Sequence, residues 1–118
     1  MALASCAQTP PPSAPETESA RLAAELRTLI GPASCSADTQ CRTVAVGAKA
    51  CGGPVGYWAW STQGTDAEAL NALAARQAGA QRREVASSGL RSNCMLVTDP
   101  GAACVAGRCQ LQAAASVR

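Results

Sequence analysis

The sequence contains no histidine and no phenylalanine, and its aromatic residues are two tryptophans and one tyrosine. Without histidine, the Ser-His and Cys-His pairs that activate nucleophiles in many hydrolases are impossible. The only lysine, Lys49, does not follow a serine at the Ser-x-x-Lys spacing. The spacing of the eight acidic residues does not indicate a catalytic carboxylate pair. We therefore expect no catalytic residues and no enzymatic activity.

Three further absences limit the ligands of the chain. The sequence has no Cys-x-x-Cys pair and no histidine, so the usual spacing of a zinc site is missing and we expect neither metal nor cofactor. The net charge of +2 provides no electrostatic reason to expect nucleic acid as a partner. No run of 18 apolar residues is present, so no segment is expected to span a membrane.

The sequence predicts a thin hydrophobic core that needs covalent support. Apolar residues make up 47% of the chain, but many of them are alanines, which bury little area. Small exported domains with such cores commonly depend on disulfides. Apart from Cys6, the chain has six cysteines, and this even number predicts three disulfides. The sequence leaves their pairing open. A metal site is the less favoured alternative. These cysteines are Cys35, Cys41, Cys51, Cys94, Cys104 and Cys109.

The beginning of the chain contains a short motif, Leu3-Ala4-Ser5-Cys6, followed by a polar, proline-rich stretch over residues 7–15. The motif resembles the lipobox of bacterial lipoproteins, in which a peptidase cleaves before the cysteine and that cysteine receives lipid. The resemblance implies that Cys6 is lipidated. Residues 1–15 would then be a signal-peptide remnant, the lipid-attachment cysteine and a semi-rigid tether.

Hydrophobic periodicity predicts an α+β domain over residues 16–112, with a small antiparallel sheet, two helices and up to three disulfides. The expected order is helix, strand, strand, helix, strand, strand, strand, and residues 113–118 are expected to fray. The predicted first helix covers residues 16–30, with either Thr17 or a Ser13–Glu16 capping box at its start. The predicted strands cover residues 41–46, 55–61, 94–97, 103–105 and 108–111.

The second predicted helix begins at a capping box in which Thr65 is the N-cap and Glu68 the third helical residue. Gly79 is the predicted end of this helix, with continuation through Arg82 and Arg83 as the alternative, and residues 87–93 are expected to form a loop.

The last two strands are expected to form a hairpin around Ala106-Gly107. In a two-residue hairpin Cys104 lies opposite Cys109, close enough for a disulfide. The sequence therefore favours a Cys104–Cys109 bond.

The candidate interaction surface combines a disulfide-stapled loop with the aromatic residues that follow it. In Cys51-Gly52-Gly53-Pro54, Gly52 and Gly53 permit positive φ and Pro54 restricts the exit of the loop. Tyr57, Trp58 and Trp60 belong to residue types that are enriched at binding hot spots. The alternatives are that the loop serves only the architecture and that the aromatic residues belong to the core.

The cysteine spacing over residues 35–109, with its Cys-Gly-Gly-Pro element, resembles a class of small exported bacterial proteins of unknown function. Together with the lipobox, it implies a lipid-anchored envelope protein, and Ala7 after the lipidated cysteine implies the outer membrane facing the periplasm. The expected activity is binding of an envelope protein, as in inhibitors and immunity proteins. The alternatives are an assembly subunit of an envelope complex and, less favoured, an enzyme.

Overall fold

The computed structural model describes residues 17–89 and 94–112 and has α+β architecture, as predicted. The tether with Cys6 and the segment 113–118 lie outside the described residues. Two antiparallel pairs, β1–β2 and β3–β4, form two small sheets rather than one. The elements are α1 (Glu18–Ile30), a short 3₁₀ turn (Asp38–Gln40), β1 (Cys41–Val46), β2 (Gly56–Ser61), α2 (Ala67–Ser88), β3 (Ala102–Val105) and β4 (Arg108–Leu111).

Helix α1 begins and ends at local sequence signals. Thr17 is its N-cap, and the Thr17 hydroxyl accepts a hydrogen bond from the Ala20 N–H at 3.2 Å. Gly31, with φ of 59°, ends the helix. Of the two predicted caps, Thr17 is therefore confirmed, while the Ser13–Glu16 capping box lies outside the described residues.

Helix α2 begins one residue later and ends later than the sequence indicates. Asp66, not Thr65, is the N-cap, because the Asp66 carboxylate accepts the Glu68 N–H at 3.2 Å. The Thr65 hydroxyl instead donates to the Leu29 carbonyl at 3.3 Å, which joins the start of α2 to the end of α1. The helix continues through Gly79 to Ser88, so the predicted end at Gly79 is wrong and the predicted continuation through Arg82 and Arg83 is confirmed. The loop predicted from residue 87 begins later, because Ser87 and Ser88 are still helical. A glycine costs only about 1 kcal/mol inside a helix, and burial of the adjacent Ala80 offsets that cost.

The main core lies where the two helices meet the β1–β2 hairpin. Leu26 of α1 and Leu70 of α2 are 0% exposed. Such leucines contribute about 1.5–3 kcal/mol each on burial. The residues that form this cluster are Leu26, Val44, Val46, Trp60, Leu70 and Ala74.

Within the described ranges, neither helix is both long and apolar enough to cross a membrane.

The β3–β4 hairpin has the predicted turn, but its cysteines pair differently from the prediction. Cys104 lies opposite Cys109 in the register, and both turn residues have positive φ, 51° for Ala106 and 79° for Gly107. This is the geometry of a two-residue type I′ turn. The predicted Cys104–Cys109 bond is nevertheless wrong, because the disulfides are Cys35–Cys104 and Cys41–Cys109.

A third segment beside the hairpin explains this pairing. The Cys109 N–H donates to the Ala33 carbonyl at 2.8 Å, and the Cys35 N–H donates to the Gly107 carbonyl at 2.9 Å. This contact brings Cys35, and after the 3₁₀ turn Cys41, against the cysteines of the hairpin. Both disulfides therefore join distant parts of the chain, with sequence separations of 69 and 68 residues.

The predicted strand over residues 94–97 is absent, and residues 94–100 have no regular secondary structure. The segment has an apolar sequence, but its backbone does not extend either sheet. Leu96 is 93% exposed, so its apolar side chain is not in a core.

The contact between α1 and α2 includes a carboxylate that accepts two hydrogen bonds. Glu84 of α2 accepts the Ser19 hydroxyl at 2.5 Å and the Ser19 N–H at 3.0 Å. These hydrogen bonds hold the pKa of Glu84 below its ordinary value. The bond from the Ser19 hydroxyl has the largest effect, and the bond from the Ser19 N–H has the next largest. The ionised form is therefore favoured in the folded protein.

Glu84→Gln is expected to lower the free energy of unfolding at pH 7 by about 1 kcal/mol, after allowance for solvent screening. Because the pKa of Glu84 is lowered on folding, its contribution is present above the unfolded pKa of about 4.3 and is lost as pH falls through the folded pKa. The difference between variant and wild type should therefore shrink towards pH 3, as measured by urea unfolding at both pH values. Glu25→Gln, on the exposed side of α1, is the control and should change stability by less than about 0.5 kcal/mol. An equal loss at both pH values would contradict the prediction.

Candidate functional site

The segment Cys51–Pro54 lies in the connection between β1 and β2, and its first three residues are exposed. Gly52 and Gly53 have φ of 98° and 80°, a region that residues with a Cβ rarely adopt. A Cβ added at either glycine would have no heavy atom within 4 Å. These glycines therefore permit the backbone conformation of an open loop rather than a close approach to another element.

Two glutamines of α2 hold the start of this loop. The Gln77 side-chain oxygen accepts the Gly47 N–H, and that of Gln81 accepts the Ala48 N–H, both at 2.8 Å. Gln77 and Gln81 are four residues apart, so they lie on one face of the helix. Gly47 has φ of 81°, and a Cβ there would lie 2.5 Å from the Gln81 oxygen and 2.9 Å from Val55 Cγ2, so any other residue would be strained at this position. The long helix thus positions the base of the loop.

Backbone hydrogen bonds close the loop above this base. The Lys49 N–H donates to the Gly53 carbonyl, and the Gly52 N–H donates to the Lys49 carbonyl, each at 3.0 Å. The Val55 N–H donates to the Val46 carbonyl at 2.9 Å, which returns the chain to the β1–β2 pair. The exposed loop consequently has internal support in addition to the contacts at its base.

A second segment, residues 94–97, lies beside the first. The Lys49 ammonium group donates to the Met95 carbonyl at 2.6 Å and joins the two segments. A shallow cavity of about 280 Å³ is lined by residues 51–54 and residues 94–97 together. We call these two segments the loop pair.

The second segment is also fixed at its end nearest β3. The Asp99 carboxylate accepts the Thr43 hydroxyl of β1 at 2.7 Å and the Gly101 N–H at 2.9 Å. These two hydrogen bonds keep the pKa of Asp99 below its ordinary value, and the bond from the Thr43 hydroxyl has the larger effect. The loop pair is therefore attached to β1 through both of its segments.

The two most exposed large apolar side chains of the described residues lie in the loop pair. Met95 is 70% exposed and Leu96 is 93% exposed. Val55, directly after the first segment, is also exposed. Adjacent exposed side chains of this size are typical of surfaces that contact another protein or a membrane.

Two cysteines meet in the loop pair. The Cys94 thiol hydrogen-bonds with Cys51, and this contact is the main reason that the pKa of Cys94 is raised. Desolvation and the charge of Cys51 raise it further. The nearby charge of Lys49 acts in the opposite direction. Both cysteines are exposed, in contrast to the buried Cys41 and Cys109.

The remaining cysteines also form a cluster, but their sulfurs are bonded. The sulfur atoms of Cys35, Cys41 and Cys109 lie within 4.8 Å of one another. Metal coordination by cysteine requires the thiolate. Because each of these sulfurs belongs to a disulfide, the cluster is a structural centre in the oxidised protein.

The structure separates the residues of the predicted interaction surface. Gly52, Gly53 and Pro54 are in the loop pair, whereas the aromatic residues do not line its cavity. Trp60 is 4% exposed and belongs to the core, so it contributes packing rather than contact area. Trp58 is half-buried, with the Arg27 guanidinium 4.6 Å from its ring centre. Tyr57 is half-buried on β2.

Several residues of the site are absent from the sequence prediction. Met95 and Leu96 were expected in a strand, and only the folded chain shows that they are exposed. Gln77 and Gln81 have a recognisable signal, since two glutamines at helical spacing in an alanine-rich helix indicate a polar contact on that face. Lys49, as the single lysine, has no comparable signal for its bond to Met95.

Comparison with known proteins does not assign this chain to a family. No protein-family model matches it, and no curated protein or solved structure shows significant similarity. Its fold defines it as a small α+β domain stabilised by disulfides, and its function is inferred from its own residues.

Proposed function

We propose that this protein is a lipid-anchored protein of the bacterial envelope that acts by binding another envelope protein through the loop pair. The observation that carries the proposal is the exposure of Met95 and Leu96 beside a glycine-rich loop with several anchoring hydrogen bonds. The activity is comparable to that of an inhibitor or an immunity protein. The anchor is proposed from the lipobox residues that end at Cys6.

The physical basis is a small entropy loss on association. Each flexible side chain that becomes immobilised at an interface costs about 0.5–1.5 kcal/mol of binding free energy, and ordering a loop adds to that cost. In the loop pair, the Gln77, Gln81 and Lys49 contacts already restrict the backbone before a partner arrives. Methionine and leucine side chains then supply apolar area, and methionine adapts readily to the shape of a partner.

The proposed contact surface has little formal charge. Within the loop pair itself, residues 51–54 and 94–97 contain no acidic or basic side chain. Lys49 lies next to the first segment, and its ammonium group is already hydrogen-bonded to the Met95 carbonyl. The expected partner surface is therefore an apolar groove rather than a strongly charged one.

Site-specific crosslinking in the producing bacterium tests this proposal. A photo-reactive amino acid in place of Leu96 should form one discrete adduct with a second envelope protein. Val105, which is 49% exposed on β3, provides the matched control position and should not form that adduct. Leu96→Asp should reduce co-purification of the same protein by at least about tenfold, because a charge would enter an apolar contact. The proposal fails if position 105 forms the same adduct or if Leu96→Asp leaves co-purification unchanged.

A further inference from the structure

We propose that Cys51 and Cys94 form a third, solvent-exposed disulfide that exchanges with a thiol–disulfide oxidoreductase while the buried Cys41–Cys109 disulfide stays intact. This inference concerns the sulfur chemistry alone and does not require the binding partner of the previous section. Its starting point is that the two side chains are in hydrogen-bond contact across the loop pair. The same two residues line one cavity.

Hydrogen bonds on either side of Cys51 bring the two cysteines together. Lys49, two residues before Cys51, donates through its ammonium group to the carbonyl of Met95, the residue after Cys94. The Lys49 N–H also bonds to the Gly53 carbonyl on the other side of Cys51. These contacts hold the two thiols near each other, so that closing the bond requires little further ordering of the chain.

The glycines after Cys51 allow the small adjustment that bond formation requires. A Cβ on Gly52 or Gly53 would have no heavy atom within 4 Å, so no other element packs against this part of the loop. A disulfide requires Cα atoms about 4.4–6.8 Å apart and Cβ atoms at a suitable angle.

Exposure separates this pair from the buried Cys41–Cys109 disulfide, whereas Cys35 and Cys104 are half-buried. Cys41 and Cys109 are 9% and 7% exposed, whereas Cys51 and Cys94 are on the surface. Thiol–disulfide exchange needs access of the attacking sulfur to the target sulfur. An oxidoreductase can therefore reach the Cys51–Cys94 pair in the folded domain, while the Cys41–Cys109 bond is protected.

The exchange balances with a protein disulfide as the oxidant. The Cys51 thiolate attacks that disulfide, which forms a mixed disulfide and releases one thiolate of the oxidoreductase. Cys94 then loses its proton to solvent and attacks the Cys51 sulfur, which forms the Cys51–Cys94 bond and releases the second thiolate. Two thiols of this protein are oxidised and one disulfide of the oxidoreductase is reduced to two thiols; reduction of the pair is the reverse.

The contact between the thiols favours this order of attack. The hydrogen bond with Cys51 raises the pKa of Cys94 and so disfavours the Cys94 thiolate. Cys51 is consequently the sulfur that reacts first, and Cys94 is the one that resolves the mixed disulfide. Replacing Cys94 by serine should therefore trap the intermediate on Cys51.

Differential alkylation of the full chain tests the proposal. The oxidised protein is treated with graded concentrations of a dithiol reductant, newly exposed thiols are alkylated, and peptides are mapped under non-reducing conditions. Trypsin cleavage after Arg91 and Asp-N cleavage before Asp99 place Cys94 and Cys104 on different peptides. The expected result is a Cys51–Cys94 peptide that is reduced at least about tenfold faster than the Cys41–Cys109 peptide.

Two serine variants complete the test. With a catalytic dithiol protein as the oxidant, Cys94→Ser should accumulate a mixed disulfide at Cys51, and Cys51→Ser should accumulate less of it. The proposal is overturned if the fully oxidised, folded protein yields no Cys51–Cys94 peptide, or if that bond is reduced at the same rate as the buried one. A loss of partner binding has no bearing on these readouts, so failure of the proposed function remains distinguishable.

Discussion

Replacing Cys41 and Cys109 together by alanine is expected to lower the free energy of unfolding by about 4 kcal/mol. The disulfide joins residues 68 positions apart, so its loss releases a long loop in the unfolded chain. Both cysteines are also buried with Ala33 in the second core cluster, so the substitution removes packing as well. Urea unfolding of variant and wild type without reductant measures the difference.

A second double variant distinguishes the observed pairing from a hairpin that is cross-linked to itself. Cys104→Ala combined with Cys109→Ala removes one partner from each disulfide and should destabilise the protein more than the loss of Cys41–Cys109 alone. If Cys104 were bonded to Cys109, this variant would lack only one bond and would lose less stability. Asp-N cleavage before Asp38 separates Cys35 from Cys41, and tryptic cleavage after Arg108 separates Cys104 from Cys109, so a peptide map must show Cys41 joined to Cys109.

Trp60→Ala is expected to lower the free energy of unfolding by about 3–5 kcal/mol. Trp60 is the largest side chain of the main core, where it packs with Leu26, Leu70 and neighbouring residues, and alanine would leave a cavity between the helices and β2. Thermal and urea unfolding both measure this loss.

Trp60→Phe is the matched variant and should cost about 1 kcal/mol or less. Among the described residues, the buried indole nitrogen of Trp60 has no hydrogen-bond partner. Phenylalanine removes this donor, whose desolvation costs about 1–3 kcal/mol, and thereby offsets most of the lost packing. In a Trp58→Phe background the remaining fluorescence comes from Trp60 and should be blue-shifted. If phenylalanine proved as costly as alanine, the indole N–H would have to stabilise the core through a hydrogen bond.

The elements with short-range signals were predictable from the sequence. The strand Cys41–Val46 has the predicted bounds, and β2 begins one residue after the predicted start. The two-residue turn at Ala106-Gly107 also agrees with the prediction. These features depend on capping, alternation and turn conformation, which involve residues that are close in sequence.

The candidate site was only partly predictable. The Cys51–Pro54 segment was identified by its glycines and proline, which restrict backbone conformation in a recognisable way. Residues 94–97 were expected in a strand, because an apolar run of that length is typical of strands. Whether Leu96 is buried or exposed depends on which other segments pack over it, and its own neighbours in the sequence do not contain that information.

The sequence by itself determined the α+β class, the main helix and turn signals and the need for disulfides in a domain with few large apolar residues. Only the tertiary structure decided that Cys104 and Cys109 bond to Cys35 and Cys41 rather than to each other. It likewise decided that Trp60 belongs to the core. The physical reason is that disulfide pairing and burial depend on contacts between residues far apart in the chain, whereas caps, turns and periodicity arise within a few residues.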